Sequence, residues 1–89
     1  MIEFALTDEI KALGISKLVA TADYLIVYNN NEFVQSKYYG EKGLERTLNE
    51  LKVKMIDSKA FGDQQAVERK IFLISEIWVN AVTKTSKGK

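Results

Sequence analysis

Residues 66–82 constrain the fold of this chain most strongly, because 11 of the 17 residues are apolar and they do not fit on a single helical face. At about 100° per residue, most of them form the broad apolar face of an amphipathic helix. That face comprises Ala66, Val67, Ile71, Leu73, Ile74, Ile77, Trp78, Ala81 and Val82. Phe72 and Val79 instead form a second, narrow stripe about 120 to 140° away from Val67. Either another element of the fold covers this stripe, or it contacts a partner molecule.

The composition is typical of one small folded domain. The chain has 89 residues, of which 46% are hydrophobic and 28% are charged, so it can bury a core and keep a solvated surface. We expect a single compact domain at residues 1–83. Lys84, Lys87 and Lys89 then form a basic, solvated tail at residues 84–89.

The chain lacks cysteine, so it has neither a disulfide framework nor a thiolate metal site, and we expect it in the cytoplasm. Its amino terminus is acidic at Glu3, Asp8 and Glu9, where a signal peptide is basic. No apolar run approaches the roughly 18 residues that suggest a membrane span. The sequence therefore predicts a soluble protein without a membrane partner.

Two interpretations of the amino-terminal residues remain open. Thr7 is a suitable N-cap for a short helix that begins with acidic residues and that Gly14 would end. Residues 2–6 alternate between apolar and other side chains, which also fits a short strand. The sequence does not distinguish the two structures for these residues.

Residues 17–39 predict an antiparallel β-hairpin, because β-branched and aromatic residues flank three consecutive asparagines at residues 29–31. Asparagine tolerates the positive φ angles that tight hairpin turns require. A three-residue loop would place Val27 opposite Phe33. A two-residue loop would instead place Tyr28 beside Phe33 and reverse the faces of the second strand, and both registers fit the sequence.

Two amphipathic helices are predicted after the hairpin, at about residues 41–56 and 63–83. The first has a narrow apolar stripe that suits packing on a sheet, formed by Leu44, Leu48, Leu51 and Met55. The predicted fold is therefore α+β: a short N-terminal helix, a two-stranded sheet and two C-terminal helices packed on that sheet. Because two strands form a thin sheet, we expect a homodimer or an obligate complex with another protein.

Catalytic and metal-binding chemistry is poorly supplied. The chain has no histidine and no cysteine, which removes the commonest general base, thiol nucleophile and metal ligands. The carboxylates show no ligand spacing, and the five glycines are too scattered to form a phosphate-binding loop. We therefore expect no enzyme activity, no cofactor and no metal site.

A nucleic-acid-binding function is the alternative, although the net charge is only +1 and the chain has two arginines. Lys17, Lys37 and Lys42 lie in or beside the hairpin, and Tyr38 is close to two of them in sequence. Lysines beside an aromatic residue on a sheet can contact the phosphates and bases of a single strand. Core packing of the tyrosine is the simpler interpretation.

Residues 7–16 resemble the first helix and turn of helix–turn–helix DNA-binding proteins. The resemblance ends there, because Ile10 occupies a position where these motifs prefer a small residue. Residues 17–23, where the recognition helix would follow, lack Arg, Asn and Gln and are rich in strand-forming residues. A duplex-DNA reader is therefore a minor alternative.

The predicted partner interface consists of Phe72, Val79, Tyr38 and Tyr39. Adjacent residues of a strand face opposite ways, so one of the two tyrosines should point away from the helices. These residues predict a small non-catalytic interaction module of the adaptor or inhibitor type. The abundance of Lys, Asn, Ile and Tyr is typical of AT-rich genomes, and small chains of this kind are frequent in phages and mobile elements.

Overall fold

The computed structural model describes the backbone of residues 1–87 and the side chains of residues 1–81, and it has the predicted α+β fold. The four strands are β1 Ile2–Glu3, β2 Lys17–Ala20, β3 Tyr24–Asn29 and β4 Glu32–Lys37. The three helices are α1 Asp8–Ala12, α2 Leu44–Ser58 and α3 Gln64–Lys87. A short 3₁₀ turn, Glu41–Gly43, precedes α2. Helix α3 thus continues beyond the predicted end at residue 83 and includes residues 84–87 of the predicted tail at 84–89; residues 88–89 lie outside the described residues.

The sheet has four antiparallel strands in the order β1-β2-β3-β4, so the prediction of a two-stranded sheet is wrong. A tight turn at Thr21 divides the segment that the sequence predicted as one strand. The Thr21 hydroxyl accepts hydrogen bonds from the N–H groups of Asp23 and Tyr24, at 3.2 and 2.9 Å. A threonine side chain therefore stabilises this turn, and threonine is a weaker turn signal in a sequence than glycine or asparagine.

The amino-terminal segment contains both of the predicted structures, first a short strand and then a short helix. Strand β1 pairs with β2, and helix α1 then begins after Thr7, whose hydroxyl accepts from the Ile10 N–H at 3.3 Å. Gly14 ends this turn with a φ of 102°. Because Lys17–Ala20 is a strand, no recognition helix follows, and the helix–turn–helix interpretation is wrong.

The β3–β4 hairpin has the two-residue loop. Tyr28 pairs with Phe33, and Asn30 adopts the positive φ of 59° that the turn requires. The alternative with Val27 opposite Phe33 is wrong, because Val27 pairs with Val34. This register decides which side chains point towards the helices and which point away.

The helices pack on one face of the sheet and form the core with it. Leu18, Val27 and Val34 come from three neighbouring strands and point into this core. From α3, the Trp78 ring lies 5.5 Å from the Phe4 ring and 5.0 Å from the Tyr38 ring, measured between centroids. Most of the predicted apolar faces of α2 and α3 are buried here, namely Leu48, Leu51, Met55, Val67, Leu73, Ile74, Ile77 and Trp78; the side chain of Val82 lies outside the described residues. The fold is therefore two layers, one of strands and one of helices.

Two buried side chains, Phe61 and Lys70, hold the loop between α2 and α3 in place. Phe61 is fully buried, and the amine of Lys70, itself only 5% exposed, donates a hydrogen bond to the Phe61 carbonyl. The carboxylate of Asp63 caps α3 by accepting from the Ala66 N–H at 2.9 Å. Burial lowers the pKa of Lys70 below 10.5, and the nearby Asp63 carboxylate partly opposes that shift.

Lys70 should make folding stability rise with pH on the alkaline side. Between its lowered folded pKa and its unfolded value of 10.5, the unfolded state binds more protons, so the free energy of unfolding increases with pH. Replacing Lys70 with methionine should remove this increase. Urea unfolding followed by circular dichroism from neutral pH to pH 10.5 would measure it, with Lys11→Met, a change at an exposed lysine, as the control. If the free energy of unfolding changes with pH in the same way for the wild type and Lys70→Met, Lys70 is not the cause of the increase.

Candidate functional site

One face of the sheet points away from the helices. The strand register assigns to it Glu3, Lys17, Val19, Tyr24, Ile26, Tyr28, Phe33, Gln35 and Lys37, which we call the outer face. Its apolar residues are not part of the hydrophobic core cluster. An apolar face without a helical layer is a candidate contact surface.

Aromatic rings and lysines are interleaved on the outer face. The Tyr28 and Phe33 rings are 5.4 Å apart across the strands, and the Lys17 amine lies 5.4 Å from the centre of the Tyr28 ring. Phe33 is 54% exposed and Tyr24 is 42% exposed. Large rings that remain this accessible can be buried by a partner without breaking the core.

Two shallow grooves lie between β4 and α2, at the edge of the sheet, and we call them together the β4 groove. The first, of about 480 Å³, is lined by Tyr24, Lys37, Tyr39, Asn49, Glu50, Val53 and Lys54. The second, of about 440 Å³, is lined by Phe33, Val34, Gln35, Lys54, Asp57 and Ser58. Val53 in the first groove is 56% exposed and Phe33 in the second is 54% exposed, so each groove has an accessible apolar side chain.

Tyr39 is held in place beside the β4 groove by α2. Its hydroxyl donates to the Glu50 carboxylate at 2.9 Å, and the Arg46 guanidinium lies 4.1 Å from its ring centre. The hydrogen bond to Glu50 raises the pKa of Tyr39, with further contributions from burial and from the charge of Glu50, while Arg46 opposes the shift. The Ser36 hydroxyl, with one proton to donate, lies 3.0 Å from the Thr47 carbonyl and 3.2 Å from the Glu50 carboxylate. The groove wall is therefore a fixed polar network.

Tyr38 belongs to the core side of the fold. Its ring packs on Trp78, and burial, followed by the charge of Glu41, raises its pKa. The tyrosine that leaves the core is therefore Tyr39, and side chains of α2 cover most of it. The structure thus separates the two members of this predicted pair.

Phe72 and Val79 lie on the opposite side of the molecule from the outer face. Both point about 140 to 160° around α3 from the buried Ile74, and they are 57% and 49% exposed. Phe72 lines an open groove of about 490 Å³ between α2 and α3, together with Leu44, Glu45, Leu48, Asn49, Lys52, Glu68, Ile71 and Ser75. A salt bridge of 3.2 Å joins Lys52 to Glu68 in this groove. The predicted stripe is thus a feature of the helical layer alone.

The residues predicted for nucleic-acid binding are not brought together. Lys17 and Lys37 both reach the outer face, but at diagonal corners, with Cα atoms about 16 Å apart from strand spacing and rise. Lys42 lies in the 3₁₀ turn, and Tyr38 packs in the core. Only two members of the set share a surface.

Sequence reasoning missed Phe33, Val53 and Lys54 as site residues. Val53 carried a signal, since it is an apolar residue off the buried stripe of α2. Phe33 could be assigned to the outer face only with the correct hairpin register. Lys54 carried no signal in the sequence for its contact with the sheet, where its amine donates to the Gln35 carbonyl of β4 at 2.6 Å.

The described residues contain no cluster of three potential metal-ligating acidic, histidine or cysteine side chains. Among the same residues, no helix has the length and apolar character needed to cross a membrane. No model of a known protein family matches the chain, and neither a curated protein nor a solved structure shows significant similarity to it.

Proposed function

We propose that this chain is a small, non-catalytic protein-interaction module that acts in the cytoplasm, in a complex with another protein or with a second copy. One observation carries this proposal. Seven large hydrophobic side chains are exposed among the described residues, and three of them, Tyr24, Phe33 and Val53, lie on or beside the edge strand β4. Clustered aromatic and aliphatic side chains at a concave edge are typical anchors of protein interfaces.

The placement of the apolar surfaces limits how such a complex can form. The outer face and the stripe of Phe72 and Val79 lie on opposite layers, so a two-fold symmetric contact can bury only one of them. The stripe is narrow, because Ser75 and Glu76 separate its two apolar residues. The hairpin side presents apolar residues on strands and helix together. We therefore assign the principal interface to the β4 groove and the neighbouring outer face.

The matched substitutions Phe33→Lys and Phe72→Lys test this assignment, because the two phenylalanines are 54% and 57% exposed. Affinity capture from the native host, quantified by mass spectrometry, should recover a defined set of proteins with the wild type. Phe33→Lys should reduce this recovery about tenfold or more, and Phe72→Lys should retain it. Light scattering on the same variants would show whether a second copy is the partner.

The opposite pattern, with loss in Phe72→Lys and retention in Phe33→Lys, would overturn the assignment to the hairpin. Equal recovery with all three proteins, together with a monomeric mass, would overturn the interaction function itself. Thermal unfolding of both variants provides the control, since an exposed substitution should change stability by only about 0.5 kcal/mol.

One observation favours nucleic acid as a second candidate partner: the Lys17 amine over Tyr28, with Phe33 beside that ring. A single-stranded base could stack on this pair while Lys17 contacts a phosphate. The +1 net charge and the distance between Lys17 and Lys37 oppose it. Recovery of nucleic acid instead of protein in the same capture, lost in Phe33→Lys, would establish this alternative and overturn the protein-binding proposal.

A further inference from the structure

Strand β4 has a free edge whose backbone groups can be assigned from the hydrogen bonds of its neighbours. On β3, the Tyr24 and Tyr28 carbonyls accept from Thr21 and Ser16, on the β2 side. The alternate residues of β3 therefore bond to Glu32, Val34 and Ser36 of β4. The remaining backbone groups of β4, those of Phe33, Gln35 and Lys37, face outward.

Few of these outward groups have a partner. The Gln35 carbonyl accepts from the Lys54 amine. The Lys37 carbonyl lies 3.3 Å from the Ser36 hydroxyl, whose single proton has a closer acceptor in the Thr47 carbonyl at 3.0 Å. Among the described residues, the outward N–H groups of Phe33, Gln35 and Lys37 have no hydrogen-bond acceptor. A row of free N–H groups is what an added strand requires.

The β4 groove provides room beside this edge for an extended chain. Side chains of a strand alternate between the two faces of the sheet. An added strand would place one set against Val53 and Tyr39 of the groove wall and the other set beside Phe33 and Tyr24 on the outer face. Backbone pairing and apolar contacts would then occur together, as in known cases of strand addition.

The charges at the edge favour an acidic occupant over a second copy. Two exposed lysines, Lys37 and Lys54, line the first groove beside a single carboxylate, that of Glu50, which accepts a hydrogen bond from Tyr39. Asp57 lines the second groove, so we expect the carboxylate of the occupant beside the first. A carboxylate on the added strand could pair with either lysine. A second copy joined by a two-fold axis near Gln35 would instead bring two Lys54 amines together, which is how edge lysines oppose self-association.

We propose that β4 binds an extended, carboxylate-bearing segment of a partner protein as a fifth strand, with Lys54 moving from the Gln35 carbonyl to a carboxylate of that segment. This inference rests on the proposed interaction function and specifies its partner. In the free protein, Lys54 caps the edge. In the complex, the partner backbone replaces Lys54 at Gln35.

Nuclear magnetic resonance with two blocked peptides of equal length tests the proposal, one alternating valine with glutamate and the other valine with lysine. The glutamate peptide should shift and protect the Phe33, Gln35 and Lys37 amides, and the lysine peptide should bind about tenfold more weakly. Gln35→Pro removes an N–H that β3 does not use and should weaken binding about threefold to tenfold. Lys54→Ala should reduce the preference for glutamate, and Lys11→Ala on α1 should leave it unchanged.

Unchanged edge amides with both peptides, or equal binding of the two, would overturn strand addition. The interaction function would still stand if Phe33→Lys lost its captured partners. Protection of the edge amides by raised protein concentration alone, with a doubled mass, would identify a second copy and also overturn the acidic-strand proposal.

Discussion

Replacing Trp78 with alanine should lower the free energy of unfolding by about 3 to 5 kcal/mol. Trp78 is only 8% exposed and its ring joins Phe4 of the amino-terminal segment to Tyr38, which follows β4. Its removal leaves a cavity and breaks the contacts that join these distant parts of the chain. The total stability of an 89-residue domain is roughly 4 to 13 kcal/mol, so this loss is a large fraction of it.

Urea and thermal unfolding followed by circular dichroism would measure the Trp78→Ala effect. We expect the melting temperature to fall by roughly 12 to 40 °C, from the usual relation between free energy and melting temperature for small domains. Val79→Ala is the matched control on the adjacent, half-exposed position, and it should stay within about 0.5 kcal/mol of the wild type. Similar losses at the two positions would contradict the packing described for α3.

The helical layer could be predicted from the sequence because its signal is periodic. The buried faces of α2 and α3 follow the 3.6-residue repeat, and Thr7 caps α1 where the sequence predicted a cap. Phe61 could not be predicted as a core residue. It lies in a loop, where no periodicity applies, and it is buried in the core with residues from the sheet and the helices.

The sheet was predicted incompletely for local reasons. Strand β1 has two residues, too few for an alternating pattern, and it exists only because β2 is there to pair with it. The turn between β2 and β3 relies on Thr21 rather than on a strong turn-forming residue. Because the sequence did not predict β1 and β2 as separate strands, we expected a thin sheet of two strands. The four strands of the structure remove this argument for a homodimer.

The candidate site was harder to predict than the fold because it depends on register and on side-chain contacts across elements. A shift of one residue in the hairpin loop decides whether Phe33 faces the helices or the outer face. The contact of Tyr38 with Trp78 and of Tyr39 with Glu50 joins residues far apart in the chain. Sequence spacing alone contains neither contact.

Replacing Thr47 with valine should destabilise the protein by about 1 to 3 kcal/mol, although the two side chains have nearly the same shape. Thr47 is fully buried, and its hydroxyl accepts from the Tyr39 N–H at 3.1 Å and donates to the Gly43 carbonyl at 3.2 Å. Valine would leave both backbone groups without this partner. Urea unfolding followed by circular dichroism would measure the loss.

Thr47→Ser keeps the hydroxyl and is the control for the Thr47→Val substitution. Serine should retain most of the hydrogen-bond contribution and lose only the packing of one methyl group, which costs about 1 kcal/mol. If valine is tolerated as well as serine, the hydroxyl does not fix the chain at Tyr39. Because Tyr39 forms a wall of the β4 groove, Thr47→Val should also weaken binding of the glutamate peptide, whereas Thr47→Ser should preserve it. Stability and groove shape are thus linked through one buried hydroxyl.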